Sequence, residues 1–282
     1  MPKEGRRSRE LYVKYLRRLA PYVFAGECVV NKSILEIGCG TTGYGAAHLS
    51  GFASSVVAVD TRKDAIAYCQ TEYQRGNLTF LVADGTVLPF KDRSFDMVLS
   101  FQVIEHIEPK NVLDYLSEVR RVLRHEGIFG VSTPNSRLTL LPFQKRPSNP
   151  AHRKEYKGEE LQMLLCNYFL AVKVCGLYGS REVLSIERSR VKPKPVKVYI
   201  IRPYRRLLHQ LYQLLSNLSP PPFRHQLESV REAMRKFSEP KEPITEPVLP
   251  GKFLSEFSFN DFTLDPACPE DSLDLIGICT KK

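Results

Sequence analysis

Short apolar runs alternate with amphipathic segments through the first half of the chain. The runs are rich in Val and Ile and show no strict alternation of polar and apolar positions, which is typical of strands buried on both faces. They lie at 33–38, 55–60, 78–83, 95–101 and 127–132. Segments with helical spacing of apolar residues separate them, at 44–49, 63–73 and 112–123. This order predicts parallel βαβ units.

The second half of the chain also contains predicted helices and strands, but they are farther apart. A helix is predicted at 158–168, a sixth strand at 171–177 and a seventh strand, which returns to the sheet, at 272–279. Crossovers between parallel strands are right-handed, so helices cover both faces of the sheet. The predicted fold is α/β, with a seven-stranded, mostly parallel, doubly wound sheet and an α-helical insertion before the last strand.

Composition changes between the sixth and seventh predicted strands. Residues 191–195 and 238–250 are rich in Pro, Lys and Glu, and a basic helix with a leucine stripe is predicted within 202–218. That helix either lies on an anionic membrane surface or packs on the core. We expect three parts: an N-terminal basic helix or cap at 1–29, a ligand-binding core at 30–180 with 270–282, and an inserted arm at 181–269 on the substrate side.

Composition narrows the class of protein. The chain has 282 residues, of which 43% are hydrophobic and 26% charged, and this excludes collagen-like and largely disordered chains. No run approaches the ~20 apolar residues of a membrane span. The polar N-terminus does not resemble a secretory signal, so we expect a cytoplasmic protein, with contact to the inner membrane surface as an option. A net charge of +10 permits anionic partners.

The seven cysteines are scattered and form no Cys-x-x-Cys pair. Zinc sites and disulfide frameworks use closer, clustered spacing. We interpret the cysteines as small buried hydrophobic residues in a reducing compartment, and the sequence predicts no metal site.

The first strand runs into a glycine-rich turn. Gly38, Gly40 and Gly43 form a G-x-G-x-x-G pattern, and Asp60 follows about twenty residues later at the end of the second strand. Glycines let the backbone approach a ligand, and the acid accepts hydrogen bonds from two ribose hydroxyls. Alone, this pattern does not distinguish a nicotinamide dinucleotide from another adenosine-containing cofactor.

Three further features separate those cofactors. Glu36 places a carboxylate at the end of the first strand, where it repels a pyrophosphate and attracts an ammonium. Asp84 ends the third strand and offers an acceptor to an adenine amino group. The fourth strand continues through Ser100 and Phe101 into Gln-Val-Ile-Glu-His, ending at His106.

With these motifs in order, residues 33–133 resemble a class I S-adenosylmethionine-dependent methyltransferase. The segment 149–156 and the motif after the fifth strand are similar to a subgroup that modifies small molecules and cell-envelope sugars or lipids. The resemblance implies S-adenosyl-L-methionine as cofactor. Glu36, Gly38 and Gly40 would line its methionine half, Asp60 its ribose and Asp84 its adenine, and Ser100 and Phe101 would flank the methionine portion. Because Thr42 stands where the family has its third glycine, Gly43 is not assigned a contact.

Methyl transfer to a hydroxyl group benefits from a general base. His106 is the first candidate, because the loop after the fourth strand opens at the carboxyl edge of the sheet; the alternative is that it packs the entry to the following helix. His152 is the second candidate, and the alternative for it is a structural role at the rim. The expected acceptor is a hydroxyl (or a nitrogen or carbon) of a small molecule, a glycan or a lipid-linked molecule.

Other functions remain open at this stage. A nucleic-acid methyltransferase suits the positive charge, but Phe101-Gln102-Val103 replaces the Asn/Asp-Pro-Pro-aromatic motif of enzymes that methylate base amino groups. An NAD(P)-dependent oxidoreductase uses the same glycine turn, but Glu36 and the lack of a second mononucleotide-binding half oppose it. A cofactor-binding scaffold without turnover is the third alternative.

Overall fold

The computed structural model describes residues 3–26, 28–141, 144, 146–191, 258–266 and 272–281. Within these ranges one sheet of eight strands is flanked by helices. The elements in chain order are α1 (Lys3–Ala25), β1 (Ser33–Ile37), α2 (Tyr44–Leu49), β2 (Ser55–Asp60), α3 (Lys63–Glu72), β3 (Leu78–Val82), β4 (Phe95–Phe101), α4 (Val112–Val122), β5 (Leu123–Pro134), α5 (Ser136–Thr139), α6 (Gly158–Cys166), β6 (Ala171–Gly179), α7 (Arg181–Val191), β7 (Phe262–Asp265) and β8 (Asp274–Thr280).

The strand order is β3-β2-β1-β4-β5-β8-β6-β7. The first five strands of that order are parallel, and β8, β6 and β7 each pair antiparallel with their neighbours. The chain moves outward on one side from β1 to β3 and on the other side from β4. The β1–β4 boundary is therefore the point where ligands bind in doubly wound sheets.

The predicted doubly wound α/β fold is confirmed, with one correction to the number of strands. The sequence predicted seven strands, whereas the described residues contain eight. The additional strand is β7 (Phe262–Asp265), which among the described strands pairs only with β6 and lies at the edge of the sheet. It falls inside the stretch 181–269, so that stretch is not purely helical; it also contains α7 (Arg181–Val191). Residues 202–218, with the predicted basic helix, lie outside the described residues.

Two hydrophobic clusters cover the two faces of the sheet. Alternation along β1 sends Leu35 and Ile37 to the cluster that includes α4 and α6, and Ile34 to the cluster that includes α1 and α2. Glu36 shares the second face with Ile34, so its carboxylate points toward α1 and α2. Among the described residues, no helix is both long enough and apolar enough to cross a membrane.

A buried ion-pair network joins α1 to the rest of the domain. The guanidinium of Arg17 donates two hydrogen bonds of 2.6 Å to the carboxylate of Asp274 on β8, and one of 2.8 Å to the Leu273 carbonyl. It also pairs with Glu187 on α7. All three charged side chains are buried. Because a buried charge is stable only when paired, this network fixes α1 against the antiparallel side of the sheet.

Candidate active site

The predicted cofactor residues gather at the carboxyl ends of the first four strands. Glu36 is paired with Ala58 of β2 and Leu99 of β4, and it therefore lies at the β1–β4 boundary. Ser100 and Phe101 end β4, and Asp60 ends β2. Parallel strands bring all these positions to one edge of the sheet.

The carboxylate of Glu36 is fully buried and only half satisfied. Its Oε1 accepts a 2.5 Å hydrogen bond from the Tyr22 hydroxyl of α1. Its Oε2 has no hydrogen-bond partner of normal geometry among the described residues. Burial raises the pKa of Glu36 to about 7, and the Tyr22 hydroxyl and the Ala46 amide offset part of that rise. An unpartnered buried oxygen of this kind is suited to a cation from outside the chain.

Gly45 makes room for this contact between α1 and β1. A Cβ atom at Gly45 would lie 2.3 Å from the Cζ atom of the Tyr22 ring and 2.7 Å from Oε1 of Glu36. The first turn of α2 can therefore approach the two side chains only because residue 45 has no side chain.

The glycine turn after β1 adopts a left-handed backbone at three positions, with φ of 80° at Gly38, 69° at Gly40 and 57° at Gly43. A Cβ at Gly38 would lie 2.4 Å from Cγ2 of Val103, and one at Gly43 would meet the Cys69 thiol at 2.8 Å. A Cβ at Gly40 would have no atom within 4 Å. Gly38 and Gly43 therefore serve internal packing, whereas Gly40 borders open space beside the strand end.

Asp60 connects this turn to β2. Its Oδ2 accepts a 3.0 Å hydrogen bond from the Gly40 amide, and its Oδ1 accepts one of the same length from the Arg62 amide. Each oxygen keeps a second lone pair, so the carboxylate can still accept from the hydroxyls of a ribose.

Asp84 occupies an exposed turn after β3. Its Oδ1 accepts hydrogen bonds from the Thr86 amide at 2.9 Å and the Thr86 hydroxyl at 2.8 Å. The carboxylate therefore stabilises its own turn, and it does so at the edge of the sheet where the sequence predicted the adenine.

Ser100 and Phe101 are both buried. The Ser100 hydroxyl donates to the Ile37 carbonyl at 3.4 Å, across the β1–β4 boundary. The Phe101 ring packs edge-on against Tyr22, with centroids 4.7 Å apart. Phe101 thus holds the phenol that contacts Glu36, and no pattern in the sequence indicates that contact.

The structure brings the two predicted histidines together. Their ring centroids are 4.8 Å apart and the rings are perpendicular, at 89°. Nδ1 of His106 is 3.1 Å from the Ala151 carbonyl, and Nδ1 of His152 is 2.6 Å from Oε1 of Glu155. Burial and the neighbouring His152 lower the pKa of His106.

Glu105 is the residue of this cluster that the sequence did not single out. Its side chain is 1% exposed, and neither carboxylate oxygen has a hydrogen-bond partner of normal geometry among the described residues. Burial raises its pKa to about 8, and the Thr133 hydroxyl offsets part of the rise. Its main-chain carbonyl accepts from the Arg153 and Lys154 amides at 2.6 and 3.3 Å, which fixes the loop that carries His152.

Tyr22, Glu105 and Glu155 are thus the site residues that sequence reasoning missed. Tyr22 lies on α1, eleven positions before β1 begins, and no local pattern links it to Glu36. Glu155 lies three residues after His152, a spacing that is common in loops. Only Glu105, adjacent to a predicted histidine at the end of a strand, carried a usable signal.

Comparison with known proteins agrees with this geometry. Residues 35–131 match the family model described as a methyltransferase domain. A probable S-adenosylmethionine-dependent methyltransferase of Mycobacterium tuberculosis is 39% identical over 163 residues, which are 57% of this chain and 55% of that protein. A fatty-acid O-methyltransferase of Mycolicibacterium smegmatis is 29% identical over 187 residues, or 65% of this chain and 64% of that protein. The chain thus spans between half and two thirds of the length of these relatives.

A solved structure extends the similarity to the fold. An S-adenosylmethionine-dependent methyltransferase of Thermotoga maritima, described as a possible histamine N-methyltransferase, superposes with a TM-score of 0.52 at 17% identity. The match covers 95% of this chain and 92% of that one. The family match thus shows that residues 35–131 resemble a methyltransferase domain, and the superposition shows that the chain shares the fold of this solved structure.

Proposed function

We propose that the chain carries a class I methyltransferase domain and is an enzyme that transfers a methyl group from S-adenosylmethionine to an oxygen atom of a lipid or lipid-linked molecule. The assignment of S-adenosylmethionine as the cofactor depends above all on Glu36. A buried carboxylate with one unpartnered oxygen, at the β1–β4 boundary, matches the α-ammonium of a methionine moiety. A nicotinamide dinucleotide would bring a pyrophosphate near that charge, and repulsion opposes this alternative.

The remaining residues fit the rest of the cofactor. Gly40 borders open space and leaves its backbone accessible to the methionine portion. Asp60 has free lone pairs for the ribose hydroxyls, and Asp84 lies where it can accept from the adenine amino group. Tyr22 orients Glu36, and Phe101 packs against Tyr22, so that the carboxylate is held in place before the ligand arrives.

On the acceptor side, the loops after β4 and β5 supply His106 and His152. The bound cofactor supplies a methyl group that its sulfonium has already activated. The protein's tasks are to align the acceptor oxygen with that methyl group and to exclude water, and alignment alone can contribute ~7–11 kcal/mol. We propose that the two imidazoles hold the acceptor oxygen and assist the loss of its proton, an effect typically worth ~10²–10⁴ in rate.

Two observations support a lipid-type acceptor. The relative from Mycolicibacterium smegmatis carries the name of a fatty-acid O-methyltransferase, and it is similar to this chain over 187 residues. The chain also contains a basic segment with a leucine stripe at 202–218, which lies outside the described residues. A segment of that composition can contact an anionic membrane surface, and we propose that it brings the enzyme to a membrane-bound acceptor.

A methyl-transfer assay tests the proposal. The full chain is incubated with methyl-labelled S-adenosylmethionine and, separately, with a hydroxylated fatty acid, a free fatty acid, a glycan or duplex DNA, and the products are identified by mass spectrometry. We expect label on an oxygen of the hydroxylated lipid, and a large loss of rate when His106 and His152 are both replaced by Ala. Label on DNA alone, or no labelled product together with binding of NAD, would contradict the proposal.

A further inference from the structure

Three side chains with metal-binding atoms meet beside the proposed acceptor site. Glu105, His106 and His152 each offer one such atom, and these atoms all lie within 4.8 Å of one another. Two ligands of one ion are usually separated by about 3 to 4 Å, because each metal–nitrogen bond is about 2.1 Å long. The three atoms would therefore have to move closer together to share one ion, and the exposed side chain of His106 is the least enclosed of the three.

Both imidazoles are oriented as metal-binding histidines are. The Ala151 carbonyl can only accept, so the contact at 3.1 Å places the proton of neutral His106 on Nδ1. The Glu155 carboxylate likewise only accepts, so its contact of 2.6 Å with Nδ1 of His152 places the proton of the neutral ring on Nδ1. In each ring Nε2 is then left with its lone pair. A histidine ligand normally donates its other N–H to a carbonyl or a carboxylate in this way, which fixes the tautomer and the ring direction.

Glu105 supplies an independent sign that a cation is needed. Its carboxylate is almost fully buried, and neither of its oxygens has a hydrogen-bond partner of normal geometry among the described residues. Burying an ionised carboxylate without compensation is strongly unfavourable. Asp274 and Glu155 add negative charge nearby. A divalent ion would compensate all of this charge at once.

From this arrangement we infer that Glu105, His106 and His152 bind a divalent first-row transition-metal ion with open coordination positions. Two imidazoles and one carboxylate on a single ion leave room for water or substrate. The two nitrogen ligands favour such an ion over Mg²⁺ or Ca²⁺, which prefer sets of oxygen ligands. The inference deepens the proposed function and rests on it, since it assigns the ion to the acceptor oxygen.

The ion explains how the acceptor becomes a nucleophile. With the ion bound, the two imidazoles act on the acceptor oxygen through the ion and not as bases: a hydroxyl bound to a divalent ion has a lowered pKa and releases its proton to water. The oxygen then forms a bond to the methyl carbon, the carbon–sulfur bond breaks, and the electron pair of that bond remains on sulfur. No oxidant or reductant is required.

Mn²⁺ is the appropriate probe, because the chain has seven cysteines and thiolates retain Zn²⁺ at other places. We expect electron paramagnetic resonance and titration calorimetry to show one Mn²⁺ bound per full-length chain, with two imidazole nitrogens coupled to it. H106A, H152A and E105Q should abolish this signal. E155Q changes the carboxylate that orients His152 and that also accepts from the Thr139 hydroxyl, and it should weaken Mn²⁺ binding roughly 10- to 100-fold. H125A, at the opposite end of β5, is the matched control and should bind as the wild type does.

The outcomes separate this inference from the proposed function. Binding of S-adenosylhomocysteine serves as the folding control for every variant, and H106A keeps the test decisive because His106 is exposed. If Mn²⁺ binds equally well to H106A and H152A, or if chelation leaves methyl transfer unchanged, the metal site is wrong while the methyltransferase proposal stands. If Mn²⁺ binds as expected but no acceptor is methylated, the proposed function fails and the metal site does not.

Discussion

The hydroxyl of Tyr22, on the N-terminal helix, donates a 2.5 Å hydrogen bond to the buried carboxylate of Glu36 at the end of the first strand. The contact joins a helix outside the βαβ core to the residue on which the cofactor assignment depends. Cofactor affinity should therefore respond to changes in α1, which contains no residue of the predicted motifs.

Replacing Tyr22 with Phe should weaken cofactor binding while the fold is retained. The hydrogen bond favours the ionised form of Glu36, so its loss raises the pKa of that carboxyl above about 7. Affinity for S-adenosylhomocysteine at pH 7 should then fall roughly tenfold, as measured by titration calorimetry. Tyr68→Phe, at an exposed position of α3, is the control. If the two variants bind S-adenosylhomocysteine with equal affinity, Tyr22 does not affect cofactor binding.

Replacing Glu36 with Gln should stabilise the ligand-free protein above neutral pH. Burial raises the pKa of Glu36 from its ordinary value of 4.5 to about 7, so the folded state binds this proton more tightly than the unfolded state. The contribution of Glu36 to wild-type stability is therefore fully present below pH 4.5 and falls by about 3 kcal/mol as the pH rises through 7. Because Gln cannot ionise, E36Q does not lose stability in this way as the pH rises.

Urea unfolding of the two proteins at pH 4.5 and pH 8 measures the difference. We expect similar free energies of unfolding at pH 4.5 and a more stable E36Q protein at pH 8. A wild-type protein that is at least as stable as E36Q at pH 8 would show that the buried carboxylate is compensated within the chain.

Arg17 should contribute far more to stability than its neighbour Arg18. Its removal takes away the guanidinium that pairs with the buried carboxylates of Asp274 and Glu187, and breaking a buried ion pair typically costs about 3–5 kcal/mol. Arg18 is exposed, and R18A should change the free energy of unfolding by less than about 0.5 kcal/mol. R17M, which removes the charge and keeps an apolar side chain, should show the deficit of about 3–5 kcal/mol. Urea titrations of both variants provide the check, and equal stabilities would refute a structural role for the network.

Replacing Gly38 with Ala should mainly reduce stability, whereas replacing Gly40 with Ala should mainly reduce cofactor binding. In G38A the new Cβ would lie 2.4 Å from Val103, at a position with a left-handed backbone. A left-handed backbone alone costs a residue with a side chain ~1–2 kcal/mol, so the free energy of unfolding of G38A should fall by more than that. G40A has the same backbone term but no clash, and its Cβ enters the space proposed for the methionine moiety. Unfolding and ligand titrations should show G38A as the less stable protein and G40A as folded but deficient in cofactor binding.

The sequence predicted the parts of the fold that depend on local pattern. Buried parallel strands such as β1 and β4 carry a continuous apolar signal, and the glycine turn and Asp60 have fixed spacing. Strand β7 was not predicted, because four residues at a sheet edge with one buried side chain show almost no periodic pattern of apolar residues. The contacts of Tyr22 with Glu36 and of Glu155 with His152 arise from tertiary packing, so no spacing rule could supply them.

The measurement that tests the central claim most directly is the affinity for S-adenosylhomocysteine between pH 5.5 and 7.5, in the wild type, E36Q and D60N. Ionisation of Glu36 should strengthen wild-type binding by at least about tenfold over this range. E36Q should bind weakly with no such dependence, and D60N should bind weakly but keep the wild-type pH profile. Wild-type affinity and pH profile in E36Q, or binding of NAD in place of S-adenosylhomocysteine, would contradict the assignment of this site.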